Sequence, residues 1–169
     1  MAPTADLIRL AEERAYDALE SAWLGALESG ENGDPAAFIA TADVLASQNE
    51  PERAATLLSL AVPPLKAAGR FAGALRILRR AASLAARPGD LRADLVGCLR
   101  KVHEDGAGFE AYLKKSQLAE KAPVKSALER LDKFLDFPIG RYVHHAGGWG
   151  VGKVVDADRR TGDLTIDFE

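Results

Sequence analysis

One cysteine, Cys98, stands in 169 residues. The chain therefore cannot close a disulfide on itself, and a multi-cysteine metal site is excluded. Its context, LVGCLRKV, marks a small core residue on a helix. Long apolar runs are equally scarce. No stretch approaches the roughly 20 residues of a membrane-spanning helix, and the opening MAPTADLIRLAEERAYDALE lacks the basic and apolar segments of an export signal. A cytoplasmic protein with no membrane partner is expected. Catalytic signatures are missing too: there is no G-x-S-x-G, and no Ser-His-Asp or Cys-His set stands in motif context. His144 and His145 are adjacent, so on a strand they point to opposite faces; His103 is distant, and no further zinc ligands can be named. Asp156, Asp158, Asp163 and Asp167 read as solvated strand and hairpin residues. No enzyme, metal or cofactor is expected.

What is present is an ordinary globular composition, 47% apolar and 28% charged. The net charge of -3 is unevenly spread. Residues 1–60 carry eleven Asp and Glu against Arg9, Arg14 and Arg53, whereas residues 61–101 carry nine Lys and Arg against Asp90 and Asp94. Arg76, Arg79, Arg80 and Arg87, with Arg70 just before, fall at helical spacing opposite Leu75, Ile77, Leu78 and Leu84. Three readings stay open: a solvated face, a groove for nucleic acid or an acidic protein surface, or neutralisation by the acidic first helices. A pI near 5.7 and few aromatics among those arginines count against nucleic acid.

Apolar spacing at threes and fours predicts one long helix over Thr4 to Ser29, capped by Thr4 and stopped by Gly30. Asp34-Pro35 opens a second helix and Pro51 a third, each proline sitting where a first-turn N–H is unused. Pro63 and Pro64 interrupt or kink the next segment. Helices over RFAGALRILRRAASLAAR, LRADLVGCLRKVHE, GFEAYLKKSQL and PVKSALERLDKFL bring the expected total to about seven by Leu135, with no strand among them. Short sequential helices with brief loops pack as an array or a bundle. Leu58, Leu65, Gly69, Phe71, Ala74, Leu78 and Ala81 fall where a degenerate tetratricopeptide-like unit wants bulky, small and turn residues.

After LDFP the period changes. RYVHHA, GKVVDAD and DLTIDFE alternate apolar with polar residues around turn sequences, the pattern of short antiparallel strands. The expected division is a helical repeat-like domain over residues 1–136 and a small Tudor-like β module over 137–169. GGWGVGKV within that module satisfies most of a phosphate-loop pattern. However, Val154 replaces the metal-binding hydroxyl, and no amphipathic helix comes after it to receive a phosphate. The glycines are instead expected to serve a tightly curved barrel corner. Trp149 would then either fill the barrel end or stand exposed.

IGRYVHHAGGWGVGKVVDADRRTGDLTIDFE resembles a segment of the Tudor-like barrels in bacterial transcription and repair proteins, including RNA-polymerase-interacting modules of the CarD type. The matching positions are Gly140, Val143, His144, Gly148, Trp149, Gly150, Val151, Gly152, Val154, Asp167 and Phe168. With helices before it, the arrangement is similar to the N-terminal extension of long-form bacterial Gre-type transcript-cleavage elongation factors, over roughly residues 50–169. The resemblance implies a non-catalytic accessory module whose partner is RNA polymerase. Gre-type cleavage uses an acidic-tipped coiled coil and a second globular domain, and neither lies in these residues. Such a barrel takes about five strands and only three are legible here, so the module is expected to be incomplete and the chain part of a longer protein. Trp149, His144, Arg76, Arg79, Arg80 and Arg87 are the partner-binding candidates. Two alternatives stand beside this: nucleic-acid binding through the arginine face, and a general peptide-binding helical scaffold.

Overall fold

The structure, a computed structural model, describes residues 3–28, 34–104, 108–157 and 163–168. It is mainly helical and ends in a small antiparallel sheet, the class anticipated from the hydrophobic periods. Nine α-helices occur among the described residues: α1 (Pro3–Glu12), α2 (Tyr16–Glu28), α3 (Pro35–Ser47), α4 (Pro51–Leu60), α5 (Val62–Ala67), α6 (Phe71–Leu84), α7 (Arg92–Val102), α8 (Phe109–Ser116) and α9 (Val124–Asp136). Three strands come after them: β1 (Tyr142–His145), β2 (Gly150–Ala157) and β3 (Leu164–Phe168). Among the described residues no helix is long and apolar enough to cross a membrane.

The chain divides into two compact units, Met1–Val102 and His103–Glu169. Helix gives way to strand after Asp136, where the periodicity changes, yet α8 and α9 share a unit with the sheet.

The single helix expected over Thr4 to Ser29 is two helices. Arg14 takes the left-handed conformation at φ 55°; its N–H donates to Ala11 O at 3.0 Å, and the Ala15 N–H donates to Leu10 O at 3.0 Å. These paired bonds satisfy the last carbonyls of α1 and turn the chain. Asn49 (φ 69°) ends α3 and Gly69 (φ 71°) ends α5 with the same pair of bonds. Gly and Asn announce such an end in sequence; Arg14 does not, which is why the break was not legible. Thr4, expected as a cap, lies inside α1, and Gly30 lies outside the described residues. The prolines behave as anticipated. Pro35 enters α3 behind Asp34, whose Oδ1 accepts from the Ala36 N–H at 3.0 Å, while Pro63 and Pro64 fall in the first turn of a separate helix, α5.

In the first unit α3 packs against α1, α4 and α6, and α6 against α7, so helix pairs stack side by side in a repeat-like array. Leu7, Leu19, Trp23, Phe38, Leu45, Leu58, Ile77, Leu78, Leu95 and Leu99 form its buried centre. The Trp23 and Phe38 rings meet at 4.5 Å. Gly73 lets α3 approach α6 closely, because a Cβ there would lie 2.9 Å from Pro35 Cγ. Of the tetratricopeptide-like positions, Leu58, Leu65, Ala74, Leu78 and Ala81 are buried.

In the second unit α8 packs on α9 through a core that includes Phe109, Leu113, Ala127, Leu131 and Phe134. The sheet is a meander of order β1-β2-β3, with a register shift between Val154 and Asp156. The segment between α9 and β1 is tied to α8 through the Ile139 N–H, which donates to the Tyr112 hydroxyl at 3.2 Å.

Candidate functional site

Strand register decides what the glycine-rich stretch becomes. Val143 pairs with Gly152, and Gly152 with Phe168; His144 pairs with Val151 and Tyr142 with Lys153. Directly paired residues share a face. One face thus carries Val143, His145, Gly152, Val154, Ile166 and Phe168, and the other carries Tyr142, His144, Val151, Lys153 and Asp167.

The first face is closed over glycine. A Cβ at Gly152 would come within 2.6 Å of both Ile166 Cγ2 and Phe168 Cδ1, so only glycine lets Phe168 lie across β2. Gly148 (φ 94°) and Gly150 (φ 82°) bracket Trp149 in backbone conformations that side chains disfavour, and this turns the hairpin tip. The indole stacks on the His145 ring at 5.0 Å and 28°. Phe168 meets both rings edge-on, Trp149 at 5.6 Å and His145 at 5.8 Å. The Gly147 N–H donates to His145 Nδ1 at 3.2 Å, so Nδ1 is the acceptor and the neutral ring carries its proton on Nε2. Three rings thus hold one another at the end of the sheet, and Trp149 still leaves 68% of its surface to solvent.

The glycine-rich stretch does not feed the helix that a phosphate loop requires. β2 runs on as a strand beyond Lys153, and Val154 is buried, donating to Arg141 O at 2.9 Å and accepting from the Gly140 N–H at 2.7 Å. The Lys153 ammonium lies 5.9 Å from the Tyr142 ring centroid. His144 is exposed on the face opposite the ring cluster, so the structure brings Trp149 together with His145 and not with His144.

The arginine candidates belong to the other compact unit. Arg76 is exposed on α6, and Arg79 and Arg80 are half-buried. Arg80 Nε donates to Asp43 Oδ1 on α3 at 2.6 Å. Arg87 lies past the helix and lines a groove of about 270 Å³ with Glu52 and Asp90. Arg53 likewise pairs with Glu20 at 2.9 Å, its guanidinium 4.3 Å over the Tyr16 ring. Part of the charge asymmetry between the two ends of this unit is therefore spent on its own helix contacts. Cys98 is buried, and burial pushes its thiol above the ordinary value, away from the reactive thiolate. Among the described residues no group of three or more His, Cys, Asp and Glu could hold a metal ion.

No protein-family model, curated protein or solved structure matches this chain. The functional reading rests on the site's own residues. Sequence reasoning made Trp149 a partner-binding candidate but gave neither of its supports, His145 and Phe168, a part in that site. They stand 23 residues apart in the chain, and only the register of β1 and β3 on β2 makes them neighbours.

Proposed function

We propose that the chain is a non-catalytic interaction module of a transcription elongation factor, with RNA polymerase as its partner. The observation that carries this reading is the exposed Trp149, braced by His145 and Phe168 at the tip of a glycine-bracketed hairpin. Aromatic anchors dominate binding energy at protein interfaces. An indole already held by two rings loses little side-chain freedom on binding. The G-W-G-V-G segment that presents it is the part of the chain that resembles the polymerase-interacting barrels. Nucleic-acid binding through the arginine face is less well supported, because Arg80 is committed to Asp43 and Arg87 shares its groove with Glu52 and Asp90.

The test is retention of core RNA polymerase by the immobilised full chain at moderate salt. The unaltered chain is expected to retain it, and Trp149→Ala to weaken retention at least about tenfold. Equal retention by Trp149→Ala, or none by either, would sink the proposal. Binding of DNA or RNA that falls steeply with salt would favour the nucleic-acid reading instead.

A further inference from the structure

The first unit carries a groove of its own. It lies between α2 and α4, holds about 300 Å³, and is lined by Glu20, Leu24, Arg53, Thr56, Leu57 and Leu60. Leu57 is buried in its floor, whereas Leu24 and Leu60 leave 47% and 45% of their surface open to water. Exposed leucines are common singly, but two sharing one cleft with a third beneath them make an apolar slot.

The lining holds one carboxylate, Glu20, and one guanidinium, Arg53, but the surface flanking it is acidic. Asp17, Glu20, Ser21, Leu24 and Glu28 fall at threes and fours on α2 and are all exposed, so a carboxylate stands on either side of Leu24 along the helix. Across the cleft, among the described residues, the only cation lining it is Arg53, which is already shared between Glu20 at 2.9 Å and Glu50 at 3.7 Å. Asp17, Glu20, Glu28 and Glu50 thus outnumber Arg53 around an apolar slot between two helices. Shape and charge together specify an amphipathic helix with apolar anchors and Lys or Arg flanks.

We propose that the α2–α4 groove receives a basic amphipathic helix of a partner protein, its apolar residues resting on Leu24, Leu57 and Leu60. The groove belongs to the first unit and Trp149 to the second.

The test uses the full chain and a fluorescein-labelled synthetic helix of about four turns, with Leu at i, i+3, i+4 and i+7 and Lys elsewhere. Its twin carries Glu in place of Lys. Fluorescence anisotropy is expected to show saturable binding of the Lys peptide that weakens with salt, and binding of the Glu peptide at least about tenfold weaker. Leu24→Ser leaves every charge in place and is expected to weaken the Lys peptide about tenfold. Leu60→Ser repeats that test at the other wall, and an unchanged helical circular dichroism signal verifies that each variant is folded. Asp17→Lys with Glu28→Lys is expected to weaken binding and flatten its salt dependence. The proposal is overturned if the Lys peptide does not bind, if Leu24→Ser and Leu60→Ser bind it as the unaltered chain does, or if the two peptides bind alike. It is equally overturned if sedimentation shows a dimer that Leu24→Ser converts to monomer, since a second copy would then be the occupant.

Discussion

Single residues settle two places where backbone and side chain compete for space. Gly152 sits under Ile166 and Phe168 with no room for a methyl group. Gly152→Ala is expected to destabilise the second unit by about 1–3 kcal/mol, the usual cost of overpacking. It should also loosen Phe168 from Trp149; denaturant unfolding followed by the emission of Trp149, in a Trp23→Phe background, measures both effects. Unaltered stability would mean that Phe168 does not lie over β2. Arg14 holds a left-handed conformation that glycine adopts freely. Replacing it by glycine relieves that strain at some cost in unfolded-chain entropy, so Arg14→Gly is expected to stabilise by about 0.5–1 kcal/mol in thermal melts. A loss of stability would assign Arg14 a contact worth more than its strain. Composition could flag Gly152 as special, since it lies in a run of glycines. It could not flag Arg14, whose conformation answers to the Ala15 and Leu10 backbone and not to its own side chain.

At the scale of elements, periodicity placed most helices correctly because burial repeats every three to four residues whichever neighbour supplies it. What periodicity could not supply was the neighbour. The arginine stripe on α6 was legible; that Arg80 reaches Asp43 on α3 was not. A similar bond joins α5 to α7, where Lys66 Nζ donates to Asp94 Oδ1 at 2.6 Å. Hydrogen bonding and attraction to Asp94 raise the Lys66 ammonium above its ordinary value of 10.5. The pair's contribution is therefore fully present below that value and is lost as pH rises through the higher folded-state value. Both side chains are more than a third exposed, at 37% and 47%, so the contribution stays below about 1 kcal/mol. Thermal melts should give the unaltered chain a small advantage over Lys66→Met near pH 8 that disappears once the pH has risen through the raised folded-state value. An advantage that persists in strong alkali would show that packing of the lysine stem, and not its charge, holds α5 to α7.

For the molecule as a whole, the two compact units carry separate reporters. Cys98 is fully buried in the first, and Trp149 is exposed on the second. Iodoacetamide is expected to label Cys98 only as the first unit unfolds, through both its inaccessibility and its raised thiol value. Residues 1–102 expressed alone should keep the same slow labelling and a helical circular dichroism spectrum. Fast labelling of that piece would mean that its core needs the rest of the chain. The sequence by itself determined the helical class, the proline-led helix starts, the switch to three strands after Asp136 and the strand into which GGWGVGKV leads. Each of these comes from local backbone preference and from the period at which apolar residues recur. Only the tertiary structure decided that Trp149 rests on His145 and Phe168 while staying exposed, that Arg80 is spent on Asp43, and that Leu24 shares a cleft with Leu60. Those facts depend on strand register and helix docking, which bring distant residues within a few ångströms and leave no periodic trace in the chain.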